Sequence, residues 1–483
     1  MSSGLSAFST YRGVRATVLG LGTFGGGVAA AQFLADRGAL VTVTDLRSED
    51  ELAESLKRLA RTPLRRVLLN GHPEDAFSDC DLLVVNPAVP PTAVVWSQAL
   101  QNEPVTSTET ALFLHHSSAR IVAVSGSNGK STTAALIHHL LSKSGCCRRS
   151  WLGGNIGHSL LPDVDQMTSK DIAVLEVSSF QLHYLQDFEF APDVAVITNF
   201  TPNHLDWHRT LEHYQKAKQV LLNRQAPRAL AVLPEYHDVN VTEPLDGVPA
   251  WRVRAECLRF GCQDAGEDGV FAAEGLLLFR RGVIEDAVRW QPPKSLPGRH
   301  NQRNVAAALA ATWHFHEEPQ RLTNHLQSFE ALPHRLQTVA RTGGLRFIDD
   351  SVATTPESAI AALQAMTGPT VLIAGGADKG LDLQAFATAI VKHAAAVILI
   401  GQTAERLESF ISRQAPDFPR RRFDSPDDFA VAVRAAVELS PQGGIVLLSP
   451  GCASYGWFRD YRHRGAKFVA AAADIVQNLN VDP

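Results

Sequence analysis

The chain has 483 residues, 45% of them hydrophobic and 20% charged, with a formal net charge of -5. That length exceeds what one hydrophobic core sustains, so two to four domains are expected. The negative balance argues against a general nucleic-acid or anionic-membrane binder. Six cysteines lie at 80, 146, 147, 257, 262 and 452 without CxxC spacing, which fits reduced thiols in a cytoplasmic protein and implies no zinc site. No apolar run approaches the roughly 18 residues a membrane helix needs, and the N-terminus enters a glycine motif instead of an export signal.

In chain order, residues 15–20, 23–37 and 40–45 read as strand, helix and strand, a βαβ unit. Gly20-Leu21-Gly22-Thr23-Phe24-Gly25 at its first turn satisfies GxGxxG, and Asp45 ends the next strand. Alone this would predict a dinucleotide dehydrogenase. Residues 46–113 are too few for a full six-stranded domain, so a truncated Rossmann-like domain is expected. Such a domain can hold the diphosphate of another nucleotide over the helix N-terminus, with Asp45 and Arg47 near the base or sugar. A strand at 81–85 ends at Asn86-Pro87-Ala88, and a linker at 115–119 closes this domain.

From residue 120 the alternation restarts, with apolar runs at 121–124, 172–177, 194–198 and 229–233 forming a second, mostly parallel sheet. The first run leads into Gly126-Ser127-Asn128-Gly129-Lys130-Ser131-Thr132. Glycines there let backbone N–H groups crowd phosphate oxygens, Lys130 adds a point charge, and Ser131 offers a hydroxyl to magnesium. Only two residues separate Gly126 from Gly129, where the general P-loop has four, so this is a shorter variant. Glu176 ends the strand at 172–177, where a P-loop protein needs a carboxylate facing the metal. The polar run Ser178-Ser179-Phe180-Gln181 follows, and His204 leaves the next strand as a candidate metal ligand.

The helix after His204 carries Leu211, Tyr214, Leu221 and Leu222 on one apolar stripe, and Lys218 lies on that stripe. Two readings stand: a lysine that snorkels to water, or an amine beside anions and metal that carbon dioxide converts to a carboxylate-like ligand. Residues 248–288 alternate in short runs, suggesting a small antiparallel appendage. Beyond Leu332-Pro333-His334-Arg335, strands near 345–348, 370–374, 397–400 and 445–448 give a third α/β domain. The expected division is 1–115, 116–332 and 333–483.

These signatures resemble the Mur ligase superfamily, which also contains folylpolyglutamate synthases. The shared runs are GSNGKST, Gly153-Gly154-Asn155-Ile156-Gly157, Glu176 to Gln181, Asn203-His204-Leu205-Asp206, Ala217-Lys218, Gly298-Arg299-His300-Asn301 with Asn304, and Leu332 to Arg335. They continue through Asp349-Asp350-Ser351, Gly375-Gly376-Ala377-Asp378-Lys379 and Ser449 to Ser454. The GGNIG, SSFQL and LLSPGCAS runs are similar to those of members that add glutamate to a UDP-muramoyl-alanine substrate.

The resemblance implies a cytoplasmic, monomeric ligase of peptidoglycan precursor synthesis that touches neither nucleic acid nor membrane. ATP would phosphorylate the alanyl carboxylate, and the amine of D-glutamate would attack the acyl phosphate. Ligation with L-glutamate and a folylpolyglutamate synthase-like activity are the alternatives. By the same resemblance, Ser131 and Glu176 would hold one magnesium ion, and His204 with carbamylated Lys218 a second. Lys130 would neutralise the β and γ phosphates. Asn301 and Asn304 would contact adenine, Asp350 the ribose and Arg335 the γ-phosphate. Thr23, Phe24, Asp45, Arg47 and Asn86 would hold the UDP end. Asn155, Ser178 and Gln181 would line the muramoyl end, and Thr354, Lys379, Ser454 and Tyr461 would hold glutamate. Val352 stands where many relatives carry lysine, and Tyr461 where phenylalanine is common, which bears on glutamate affinity and handedness.

Overall fold

A computed structural model describes residues 4–235, 250–273 and 275–479. They form two compact units, one of residues 4–290 with 303–325 and one of 291–302 with 326–479. The first unit holds two sheets and the second unit one.

The N-terminal sheet contains β1 (Arg15–Leu19), β2 (Leu40–Thr44), β3 (Arg66–Leu68), β4 (Leu82–Val85) and β5 (Val105–Ser107), in the order β3-β2-β1-β4-β5. All four pairings are parallel, as right-handed crossovers through helices require. The helix after the glycine turn runs Gly26–Asp36, starting later than expected because Thr23 and Phe24 belong to the turn. Gly27 packs against β1's exit so closely that a Cβ would lie 2.3 Å from the Leu21 carbonyl oxygen. The expected truncation to fewer than six strands is what is found.

The central sheet comprises β6 (Arg120–Ser125), β7 (Ser150–Gly154), β8 (Ile172–Glu176), β9 (Val194–Ile197), β10 (Leu230–Pro234), β11 (Glu256–Gly261), β12 (Gly269–Ala273), β13 (Leu276–Arg281) and β14 (Ile284–Arg289). Its order is β14-β13-β12-β11-β10-β9-β6-β8-β7. From β7 through β12 the pairings are parallel, and β12 to β14 form an antiparallel meander. The anticipated appendage is therefore corrected: its antiparallel strands continue the central sheet through the parallel pair of β11 and β12. Its expected start, Val248, lies outside the described residues. Strands β8 and β9 are buried along their whole length, as expected where helices cover both faces. One apolar core runs continuously from Leu5, through Phe33 and Leu112, to Leu175, Leu221 and Trp251, joining the two sheets of this unit.

The second unit's sheet has β15 (Gln337–Thr342), β16 (Leu345–Asp349), β17 (Thr370–Gly375), β18 (Ala396–Ile400), β19 (Arg420–Phe423) and β20 (Ile445–Leu448), ordered β15-β16-β20-β17-β18-β19. Only β15 is antiparallel. Separate apolar layers cover its two faces. Among the described residues no helix is long and apolar enough to cross a membrane.

Replacing Gly27 by valine forces side-chain atoms into the Leu21 backbone, an overpacking with no flexible neighbour to yield. Gly27→Val is expected to cost about 2 kcal/mol or more. Urea denaturation of the two proteins checks this, and an unshifted midpoint would contradict the close contact.

Candidate active site

In parallel sheets ligands bind beyond the carboxyl ends of the strands. In the central sheet β6 lies between β9 and β8, with Val124 beside Glu176 and Val196. The glycine turn, Glu176 and the segment bearing His204 thus leave three adjacent strands at one edge. Gly126 (φ +144°) and Gly129 (φ +80°) bend the turn into the helix Lys130–Ser144. A Cβ on Gly126 would lie 1.9 Å from Thr198 Oγ1, and one on Gly129 2.5 Å from Asn304 Oδ1. Glycine is needed at both positions for conformation and for space.

Residues from neighbouring loops fix this turn. Asn128 N donates to Asn199 Oδ1 (2.8 Å), Asn199 Nδ2 to the Asn128 carbonyl (3.0 Å), and Ser127 Oγ to the Thr201 carbonyl (2.8 Å). The Tyr214 hydroxyl is 3.0 Å from Ser127 Oγ. Thr198, Asn199, Thr201 and Tyr214 were not singled out as site residues from sequence. The sequence signal for the first three was the polar segment after β9, and that for Tyr214 its place on the apolar stripe of the helix Leu211–Asn223. Lys130 Nζ donates to the Ser127 carbonyl at 2.8 Å, and Ser131 and Thr132 are buried at the helix start.

Lys218 is 1% exposed on the helix Leu211–Asn223. Its Nζ donates to the Gly126 carbonyl at 2.9 Å and lies 4.5 Å from the centre of the Tyr214 ring. The snorkelling alternative is thereby excluded, since the amine points to the turn and not to water. Burial pushes its pKa well below the usual lysine value, repulsion from Lys130 adds to this, and Glu176 opposes both. A group so placed is drawn towards the neutral, nucleophilic amine. Glu176 is 2% exposed; Oε1 accepts from Asn155 Nδ2 at 2.8 Å, and Oε2 is buried without a hydrogen-bond partner.

His204 caps the helix Leu205–His208 in a left-handed conformation (φ +55°), with Phe180's ring 4.8 Å away and Tyr214's 6.3 Å away. Ser178 and Gln181 form a capping box at the helix Ser179–Tyr184. Gln181 Oε1 accepts from Ser178 N and Oγ, and its Nε2 donates to Thr110 Oγ1 at 3.0 Å. The expected muramoyl-end residues Asn155, Ser178 and Gln181 are thus gathered beside Glu176. Asn304, buried on the helix Arg299–Thr312, accepts from Thr133 Oγ1 at 3.3 Å.

In the N-terminal sheet Asp45 is buried and committed to the backbone, accepting from Gly22 N and Arg47 N at 2.9 Å each. Asn86 bridges the same turn, donating to the Gly20 carbonyl (3.1 Å) and accepting from Ala88 N (3.0 Å). Both shape the glycine turn, whereas Thr23, Phe24 and Arg47 are exposed beside it.

The second unit places Asp350, Lys379 and Ser454 on loops leaving β16, β17 and β20, three adjacent strands. A bridge between Ala377 and Ala453 joins the last two loops. Asp350 is buried and accepts from Ser449 Oγ (2.7 Å) and Leu336 N (3.2 Å); burial raises its pKa to about 7 although those bonds and Arg335 pull it down. Arg464 is wholly buried and donates to Ser351 Oγ, Ser351 O and Cys452 O at 2.7–3.0 Å. Tyr461 accepts through its carbonyl from Ser351 Oγ, Lys379 is exposed near the Tyr455 ring, and Thr354 and Val352 are partly buried after the same turn. Asn301 donates to the Pro297 carbonyl at 2.8 Å.

The geometry described so far is that of a P-loop nucleotide-binding protein, and comparison with known proteins gives its family. Models of the Mur ligase MurD-like N-terminal domain, the Mur ligase middle domain and the Mur ligase glutamate ligase domain match residues 14–105, 124–312 and 334–452. The chain belongs to the Mur ligase family. Within it, a protein of Roseiflexus sp. (strain RS-1) is 37% identical over 94% of this chain and 97% of its own length. One of Symbiobacterium thermophilum is 35% identical over 94% and 96%. Both are named UDP-N-acetylmuramoylalanine--D-glutamate ligase. The solved UDP-N-acetylmuramate-alanine ligase MurC of Thermotoga maritima shares the fold, with a TM-score of 0.60 at 17% identity over 96% of this chain and 99% of that one.

His208, 1% exposed, lies 2.9 Å through Nε2 from Ser179 Oγ, while its Nδ1 is buried without a hydrogen-bond partner. Burial, reinforced by His213, lowers its pKa to about 3. The folded state therefore binds fewer protons than the unfolded chain, so this stabilisation is complete above about pH 6.5 and is lost progressively as pH falls towards 3. Between pH 7 and pH 5 it amounts to about 2 kcal/mol. Denaturant titrations should show a smaller loss over that interval in His208→Gln than in the parent; equal losses would remove His208 as the cause.

Proposed function

We propose that this Mur ligase uses ATP to join D-glutamate to the alanyl carboxylate of UDP-N-acetylmuramoyl-L-alanine, in cytoplasmic peptidoglycan precursor synthesis. The relatives' names support the reaction. The observation that carries the mechanism is the Lys218 amine on the Gly126 carbonyl, at the same strand edge as Glu176. We divide the labour at residues 115/116 and 332/333: the first part for UDP, the second for ATP and the third for glutamate.

A carboxylate oxygen of the alanyl group attacks the γ-phosphorus, ADP leaves, and an acyl phosphate results. The glutamate amine attacks the acyl carbon, losing a proton as phosphate departs with the carbonyl–oxygen bond pair, and an amide remains. For the first step the chain must cradle phosphates and gather positive charge. Backbone N–H groups of the turn and the Lys130 ammonium do this. Asn304 borders the turn at Gly129, on the proposed adenine side, and Asn301, Asp350 and Arg335 complete the nucleotide's contacts in this reading. Thr354, Lys379, Ser454 and Tyr461 would receive glutamate, with Lys379 opposing a carboxylate.

The buried, unpartnered Oε2 of Glu176 fits a divalent cation. Ser131 and Glu176 would hold one magnesium ion, and His204 with carbamylated Lys218 a second. Among the described residues no three His, Cys, Asp or Glu side chains form a metal cluster; a carbamate on Lys218 would add a carboxylate-like donor to His204's set. Magnesium supplies the charge that lets one anion approach another. The carbamate forms when the neutral Lys218 amine attacks carbon dioxide and releases a proton, and burial of that amine favours it.

Phosphate release with ATP, UDP-N-acetylmuramoyl-L-alanine and either enantiomer of glutamate tests the reading. Release should need all three substrates and run faster with D-glutamate. A preference for L-glutamate would reassign the acceptor, a reading that Val352 in place of lysine keeps in play; no release with either enantiomer would reject the ligation.

Lys218→Ala should lower kcat about 100- to 1000-fold, with partial recovery on adding formate or acetate. Full activity without such acids would remove the carbamate from the mechanism.

A further inference from the structure

Glu109 opens the helix Glu109–His116, directly after β5. One of its carboxylate oxygens accepts from Ser159 Oγ and the other from Thr110 Oγ1 at 3.2 Å, while Thr110 itself accepts from Gln181 Nε2 at 3.0 Å. Ser159 follows the GGNIG loop that carries Asn155, and Gln181 lies in the first turn of the helix Ser179–Tyr184 that follows Glu176. On its opposite side the Glu109 stem reaches the start of the helix Gly26–Asp36, where a Cβ on Gly26 would lie 3.9 Å from Glu109 Cγ. Glu109 therefore lies beside the first residue of the helix that follows the glycine turn of the N-terminal sheet, and it is bonded to Ser159 and, through Thr110, linked to Gln181 at the active edge of the central sheet. It is partly buried, and the mechanism above gives it no task.

A substrate whose diphosphate rests on the turn at Gly20 to Gly25 and whose alanyl carboxylate reaches Glu176 must pass this point with the part between, its amino sugar. A carboxylate has about four lone-pair positions, and Ser159 and Thr110 fill two. Sugar hydroxyl and acetamido N–H groups are the donors that suit the others, and a charged acceptor makes the stronger kind of hydrogen bond. We infer that Glu109 is a specificity-determining residue that accepts hydrogen bonds from the amino sugar of the UDP-linked substrate, while Thr110 and Ser159 orient it. This rests on the reading of the N-terminal domain as the UDP site. Burial raises the Glu109 pKa against the pull of its two hydroxyl partners.

The test compares binding of UDP and of UDP-N-acetylglucosamine by calorimetry in the parent protein and in Glu109→Gln and Ser159→Ala. Glu109→Gln should weaken the UDP-amino sugar about tenfold or more and leave UDP unchanged; Ser159→Ala should give a smaller change of the same kind. Equal weakening of both ligands, or none, would overturn the inference and leave Glu109 a structural link between loops. If the parent protein binds UDP and the UDP-amino sugar with equal affinity, no sugar contact exists here and the inference fails. If it binds neither, the UDP reading itself fails. Should Glu109→Gln not fold, the Ser159→Ala comparison and the ratio of KM to kcat for Thr110→Ser against Thr110→Val decide, since a positioning hydroxyl predicts rescue by serine.

Discussion

The contact between the Lys218 amine and the Gly126 carbonyl organises the central site. An amine with 1% exposure must either find hydrogen-bond acceptors or give up its charge. Here it does some of each: the carbonyl satisfies one N–H, the Tyr214 ring closes one side, and burial drives the pKa down. The carbonyl is available because Gly126 takes a conformation that side-chain-bearing residues rarely adopt, in a space Thr198 leaves only for hydrogen. The glycine turn and the lysine are thus one device, although 92 residues separate them.

The second unit follows a different logic. Its sheet edge is organised by a cation without a carboxylate partner in hydrogen-bond contact: Arg464 gives its protons to two backbone carbonyls and one hydroxyl of the Ser351 and Cys452 loops. Burial lowers its pKa only to about 10, so it stays charged at neutral pH. That charge lies near Asp349 and Asp350 and helps hold the turn after β16 in shape. Charged hydrogen bonds to carbonyls are stronger than neutral ones, which suits a loop that must keep Asp350 and Val352 in fixed places.

Much of this was legible in the chain. The glycine turn announced itself because phosphate-binding geometry demands particular residue types, and Lys218 because an apolar stripe makes a charged member conspicuous. The main strands were legible as apolar runs, since both faces of a parallel sheet are covered. What escaped notice was either short or non-local. Strands β3, Arg66–Leu68, and β19, Arg420–Phe423, are edge strands of three and four residues, partly exposed; the apolar run at β3 is too short to mark a strand, and β19 has three arginines in four residues. Asp45 also accepts from Gly22 N and Arg47 N, a structural commitment that depends on backbone geometry no pattern encodes. The support that Asn199 and Thr198 give the turn at Asn128 spans about seventy residues, and only folding brings such partners together. The strands after β11 were rightly seen as antiparallel but wrongly set apart, because periodicity says how a strand is covered and not which neighbour it pairs with.

The meander that prolongs the central sheet leaves β14 as its outermost strand, well away in strand order from β6 and β8. Open strand edges invite other chains to zip on, and proteins blunt them with charge. Glu285, Asp286 and Arg289 stud this one, and Arg280 ties Glu285 back to the neighbouring strand at 3.0 Å. The rim farthest in strand order from the chemistry is thus lined with charge, and the sheet gains width with a charged outer strand.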